Sequence, residues 1–133
     1  YSGYYFHLST GGEGYPYGHM LATGDYCHDP KALQIIREDI AGGEGDFDSI
    51  VRSASPTFML DYDSALKRNP KGFEHETAYA EYLRLTAFCL VHTPSTEIMC
   101  APDLARRTAE LFHRTQPFLH YMNRAIQYSK EEQ

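Results

Sequence analysis

Three cationic side chains surround a proline and a glycine in the middle of the chain, in the run Lys67-Arg68-Asn69-Pro70-Lys71-Gly72-Phe73. The 133-residue chain carries a formal net charge of −6, so this run locally reverses the sign of the charge. Proline fixes its φ angle and glycine allows close approach of the backbone, so amides near Gly72 can point at a bound anion. The pattern predicts a site for a small anionic or phosphorylated ligand.

Arg84 lies near the far end of the helix expected after this turn, and it joins the site only if the chain folds back. The predicted ligand-binding residues are accordingly Lys67, Arg68, Lys71, Gly72 and Arg84. The alternative is a solvated turn whose exposed cations pair weakly with neighbouring carboxylates such as Glu74 and Glu76. Spacing alone favours the solvated turn.

Two histidines offer acid–base chemistry, because an imidazole changes its charge near neutral pH. In a cleft shared with the cations, His7 or His19 would make the protein a hydrolase-like enzyme. The sequence holds no motif that fixes a reaction. A third hypothesis is a protein-interaction module built on the eleven tyrosines, which predicts a contiguous exposed aromatic patch.

No cofactor and no metal are expected. The glycine-rich run at residues 9–14 lacks the Gly-Lys-Ser/Thr ending of a phosphate-binding loop. His19, Asp25, Cys27, His28 and Asp29 mix usable metal ligands, but without the paired-histidine helix motif of a metal site. Cys27 beside His28 is a pair of sequence neighbours, which rarely has the geometry of an activated nucleophile.

The acidic balance argues against generic binding to nucleic acids or anionic membranes, because both require a basic face. Three cysteines form neither a disulfide framework nor a zinc signature, and no apolar run reaches the length of a membrane span. We therefore expect a cytoplasmic protein, with its oligomeric state left open. Because the chain starts at Tyr1 within an expected strand, we expect one domain over residues 1–133 that lacks an upstream segment.

Hydrophobic patterning mixes strands and helices without strict alternation, which favours the α+β class with a small mixed or antiparallel sheet. Strands are expected at residues 4–8, 19–26 and 85–92, with a short one within 58–67. Helices are expected after Asp29-Pro30, at residues 46–53 and 76–83, and from Pro102 onward. The last is expected to be long and kinked at Pro117, because its apolar stripe continues in phase.

Several motifs recur in a familiar order: Tyr4-Tyr5-Phe6-His7-Leu8-Ser9 before a glycine pair, Pro70-Lys71-Gly72-Phe73, Leu83-Arg84-Leu85 ahead of Phe88, and Pro117-Phe118-Leu119 with Asn123-Arg124-Ala125. Together they resemble the domain-of-unknown-function 2461 family (DUF2461), and from this resemblance we expect the chain to correspond to the C-terminal two thirds of its relatives. The resemblance implies a basic upstream segment whose cations would join Lys71 and Arg84. Thr86 and Thr77-Ala78 depart from residues that the family usually has. The resemblance to this family implies no established activity.

Overall fold

The computed structural model describes residues 3–7, 19–25, 29–43, 46–94, 97 and 100–131. The described residues form the strands β1 (Gly3–His7), β2 (Met20–Asp25), β3 (Met59–Leu60) and β4 (Phe88–His92). They also form the helices α1 (Pro30–Gly42), α2 (Asp46–Ala54), α3 (Ala80–Leu83), α4 (Leu104–His113) and α5 (Gln116–Glu131). The glycine-rich run at residues 9–14 and the Cys27-His28 pair lie outside the described residues.

The four strands form one antiparallel sheet in the order β1-β2-β4-β3. This sheet and the helices packed on it confirm the predicted α+β class. Gly24 of β2 has φ +141°, and a Cβ atom there would lie 2.1 Å from the Phe88 carbonyl oxygen. The two central strands therefore meet closely at a position where only glycine fits without displacing the backbone.

Helix α1 begins as its sequence predicts. The Asp29 side chain accepts a hydrogen bond from the Lys31 amide at 3.2 Å, and Pro30 occupies the first turn, where a missing N–H costs nothing. Ile36 and Ile40 are buried on the face that meets the core. This helix packs against α5, and α5 also packs against β2.

The expected helix at residues 76–83 is shorter than predicted, because only Ala80–Leu83 is helical. Tyr79 adopts a left-handed conformation with φ 58°, which a continuous helix does not allow. Upstream, the Asn69 amide binds the carbonyl oxygens of Phe73 and Glu76 at 3.1 and 2.8 Å. These side-chain bonds hold the chain in successive turns instead of a helical ladder.

The expected single kinked helix at the C-terminal end is two helices, α4 and α5, separated by a turn at residues 114–115. Pro117 is the second residue of α5, where its missing N–H needs no partner. Thr115 is fully buried before this helix, while Phe118 and Met122 extend the core along it. Pro117 therefore begins a helix and does not kink one.

The core lies between the sheet and the helices α1, α2 and α5, where Phe47 contacts the rings of Tyr82 in α3, Phe88 in β4, and Phe118 and Tyr121 in α5. Its largest fully buried side chains include Phe58, Phe88 and Phe118. Among the described helices, none combines the length and the apolar character needed to cross a membrane.

Candidate anion-binding site

The basic turn is anchored by its apolar residues and presents its cations to solvent. Pro70 and Phe73 are buried, and the Phe73 amide donates to the Pro70 carbonyl at 3.0 Å. Lys67, Arg68 and Lys71 are all exposed. In the described ranges no carboxylate forms an ion pair with these three side chains, so the expected pairing with Glu74 or Glu76 is not formed.

Arg84 lies against this turn because the chain folds back on itself. The Leu66 amide donates to the Arg84 carbonyl at 2.8 Å, and Arg84 Nε donates to Asn69 Oδ1 at 2.9 Å. Asn69 is the residue whose amide also binds the Phe73 and Glu76 carbonyls. One side chain between Arg68 and Pro70 thus organises the turn and attaches Arg84 to it.

A buried arginine fixes the backbone on both sides of Arg84. Arg37 of α1 donates from Nε to the Leu83 carbonyl at 2.9 Å and from Nη2 to the Leu85 carbonyl at 3.0 Å. Burial lowers the pKa of Arg37, and no carboxylate in the described part of the chain pairs with it. The free-energy cost of desolvating the Arg37 guanidinium is offset by its two charge-assisted hydrogen bonds. These bonds hold the segment that carries Arg84.

Sequence reasoning missed both Arg37 and Asn69. Arg37 follows Ile36 and stands four residues after Leu33, so it lies on the buried side of α1. A cation at such a position is the signal that could have indicated a buried hydrogen-bonding role. Asn69 offered no comparable signal, because its partners depend on how the chain folds back.

A carboxylate of the protein already occupies the amide of Gly72. This residue has φ +94°, and its N–H lies 3.0 Å from each carboxylate oxygen of Glu74. This backbone hydrogen bond is the main reason why the pKa of Glu74 lies below its usual value. The group that accepts from this amide is a side chain of the protein itself.

A cavity of about 310 Å³ opens beside Arg84, and its other lining residues are Tyr62, Ala65, Leu66 and Glu81. Burial raises the pKa of Tyr62, and the charges of Glu81 and Asp48 raise it further. Tyr62 therefore keeps its phenolic proton at neutral pH and can donate a hydrogen bond. The cavity combines a guanidinium, a hydroxyl donor and one carboxylate, so it suits an anion that leaves room for Glu81.

The structure does not bring the two histidines to the cations. In the pairing of β2 with β4, Leu21 lies opposite His92 and Asp25 lies opposite Phe88. Phe88 is the first residue of β4 and follows Arg84 by four residues, so it marks the end of β4 that is nearer to Arg84 along the chain. His19 precedes β2, and His7 pairs with Met20, so both lie at the His92 end of the sheet. At about 3.3 Å per strand residue, the four steps of β4 separate the two ends by roughly 13 Å. His19 is also 3% exposed.

Exposed tyrosines are distributed over several elements. Tyr4, Tyr5 and Phe6 follow one another along β1, with exposures between 41% and 47%. Successive residues of a strand point to opposite faces, so Tyr4 and Phe6 share one face of β1 while Tyr5 points to the other. Tyr62 and Tyr128 are exposed on other elements.

Among the described residues, no group of three or more His, Cys, Asp or Glu side chains converges as metal ligands.

The comparison with protein families gave one informative match. Residues 1–121 match the model of a family described as "Conserved hypothetical protein (DUF2461)", so the chain belongs to this family. The match confirms the resemblance expected from its motifs. Comparisons with curated proteins and with solved structures gave no match. The family description names no activity, so the function must be argued from the site itself.

Proposed function

We propose that this protein binds a small anionic ligand at the surface formed by Arg84 and the basic turn, with Lys67, Arg68 and Lys71 as the surrounding cations. The observation that carries the proposal is the hydrogen bond from Arg84 Nε to Asn69 Oδ1 at 2.9 Å. It attaches a guanidinium, which forms no ion pair within the described chain, to a turn that holds three further cations.

The chemistry of the surface supports a planar or tetrahedral oxyanion. A guanidinium binds carboxylate and phosphate oxygens through paired N–H groups, whereas lysines contribute charge with little geometric demand. Arg84 is preorganised by Asn69 and by the carbonyls that Arg37 holds, so little conformational entropy is lost when it binds. The exposed lysines then attract the ligand over a distance set by the ionic strength.

Titration with inorganic phosphate, followed by the thermal unfolding midpoint, tests the proposal. Phosphate is compared with chloride at equal ionic strength, because salts stabilise folded proteins without binding to a site. At ten times the dissociation constant, a single site stabilises the folded state by about 1.4 kcal/mol. For a chain of this size that corresponds to a shift of about 3–6 °C in Tm.

Arg84→Gln and Lys71→Gln should each reduce the phosphate-dependent shift, with the larger loss at Arg84. Arg107→Gln is the matched control, because it removes the same charge from α4, where Arg107 pairs with Asp103 at 2.9 Å. Equal shifts in all three variants would show that phosphate acts through net charge alone. That result would overturn the proposed site.

A further inference from the structure

A second surface of the protein has the size and composition of a ligand site. The groove between α1 and α5 encloses about 480 Å³, which is within the range of small-molecule pockets. Ile35, Ala125 and Tyr128 supply its apolar walls. Beneath it, Ile36 and Met122 are fully buried, so the two helices pack in the core and leave the groove at their outer edges.

One wall of the groove carries a carboxylate that a buried group orients. Tyr121 is 6% exposed, and its hydroxyl donates to Asp39 Oδ2. Burial, followed by this hydrogen bond, raises the pKa of Tyr121, so the phenol remains a donor at neutral pH. Asp39 Oδ1 has no hydrogen-bond partner among the described residues. It therefore remains available to accept a bond from a molecule in the groove.

The opposite charge comes from Arg124, which follows Tyr121 by three residues and lies on the same side of α5. Within the described ranges Arg124 forms no ion pair, so it is not joined to Asp39 although both line the groove. The neighbouring Glu38 accepts a hydrogen bond from Gln34 at 2.9 Å. The groove is therefore lined by two carboxylates, of which Glu38 is bonded to Gln34, and by one guanidinium that forms no ion pair with either of them in the described ranges.

We propose that this groove binds a small zwitterion with an apolar side chain, such as an apolar amino acid or a short peptide. The ligand's ammonium group contacts Asp39, its carboxylate contacts Arg124, and its side chain packs against Ile35, Ala125 and Tyr128. A molecule with both charges provides a partner for both Asp39 and Arg124, whereas a simple amine or a simple acid leaves one of these side chains without a partner. This inference is independent of the anion site at Arg84.

Three matched probes test the inference by isothermal titration calorimetry: phenylalanine, phenethylamine, which lacks the carboxylate, and 3-phenylpropionate, which lacks the ammonium group. Because each charged contact is expected to change affinity by roughly 10-fold or more, phenylalanine should bind most tightly. Equal affinity for the three probes, or no binding of phenylalanine, would overturn the proposal.

Two variants assign the contacts. Asp39→Asn should remove the advantage of phenylalanine over 3-phenylpropionate, and Arg124→Gln should remove its advantage over phenethylamine. Arg124 is exposed and forms no ion pair in the described chain, so this variant is informative even if Asp39→Asn is unstable. Arg107→Gln is the control, because it removes the same charge from α4, where Arg107 pairs with Asp103, and it should leave phenylalanine binding unchanged. Unchanged probe preferences in Arg124→Gln would contradict the assignment.

Discussion

The hydroxyl oxygens of Thr23 and Thr115 lie 2.8 Å apart in the interior of the protein, although 92 residues separate them in the sequence. Both side chains are fully buried. The Thr115 hydroxyl also donates to the Phe112 carbonyl at 2.7 Å, so the proton between the two threonines belongs to Thr23. This pair connects the central strand β2 to the turn between α4 and α5.

Replacing Thr115 by valine should destabilise the protein more than replacing Thr23. Thr115→Val leaves the buried Thr23 hydroxyl without this acceptor, which costs about 1–3 kcal/mol, whereas Thr23→Val leaves Thr115 bonded to Phe112. Urea denaturation of the two variants measures the difference. A larger loss of unfolding free energy in Thr23→Val would contradict this account of the hydrogen bonds.

Substitution of Gly24 by alanine should be among the most destabilising small changes in the sheet. The new methyl group would lie 2.1 Å from the Phe88 carbonyl oxygen, and the φ of +141° is itself strained for alanine. We expect a loss of about 2–4 kcal/mol in unfolding free energy. Gly3 is the matched control, because it pairs with Gly24 across β1 and β2 and has no atom within 4 Å of an added Cβ. Similar losses of unfolding free energy in Gly24→Ala and Gly3→Ala would show that the sheet relieves the close contact at little cost.

Arg37→Met should lower stability by about 1–3 kcal/mol, because the carbonyls of Leu83 and Leu85 lose their donor in a buried environment. Arg52→Met is the control. Its side chain is 79% exposed and pairs with Asp48, so it should cost about 1 kcal/mol or less. Chemical denaturation measures the loss of unfolding free energy in the two variants. An equal loss would contradict the role of Arg37 in holding the segment around Arg84.

The stability of the protein should fall above pH 10, in part because of Tyr121. Burial and the hydrogen bond to Asp39 raise its pKa above the ordinary value of 10.0. The folded state therefore retains the phenolic proton at pH values where the unfolded chain releases it. This contribution is complete below pH 10 and is lost as the pH rises through the folded pKa.

Tyr121→Phe should accordingly show a shallower fall in unfolding free energy between pH 9 and pH 11 than the unmodified protein. Part of the fall should remain, because burial and Asp48 raise the pKa of Tyr82 as well. Tyr128→Phe is the control, since that side chain is 57% exposed. Parallel stability curves for the Tyr121 variant and the unmodified protein would contradict the linkage.

Glu74 should compete with an external anion at the basic turn. Glu74→Gln removes the charge that lies on the Gly72 amide, so phosphate affinity should rise by roughly 2- to 5-fold. Glu76→Gln removes an equal charge nearby without that contact, so it isolates the effect of the amide from the effect of net charge. Equal gains in the two variants would show that Glu74 acts only through its charge.

The sequence predicted the elements whose signals are local. Asp29 and Pro30 begin α1, and strands form within residues 19–26 and 85–92 as expected. The break between α4 and α5 was missed because Thr115 fits the apolar stripe, while its actual partner, Thr23, belongs to a distant strand. Local patterning cannot reveal a hydrogen bond whose two residues meet only in the folded sheet.

In the candidate site, too, local signals could be predicted from the sequence and contacts between distant residues could not. The types and spacing of the residues indicate the cations and Gly72, whereas the contact of Arg84 with the turn depends on the chain folding back. The roles of Asn69 and Arg37 depend on carbonyl groups, which every residue carries and which sequence patterns therefore do not mark. The separation of His19 from Arg84 likewise follows from strand register.

The sheet order β1-β2-β4-β3 also dictates when this protein can fold during its synthesis. A ribosome delivers β1 and β2 before the other two strands of the sheet, and two strands alone are marginal in water. Their central neighbour β4 emerges only after residues 26–87, and the helix that packs on β2 emerges later still. Folding must therefore wait until most of the chain has left the ribosome, and pairings between such distant segments form slowly.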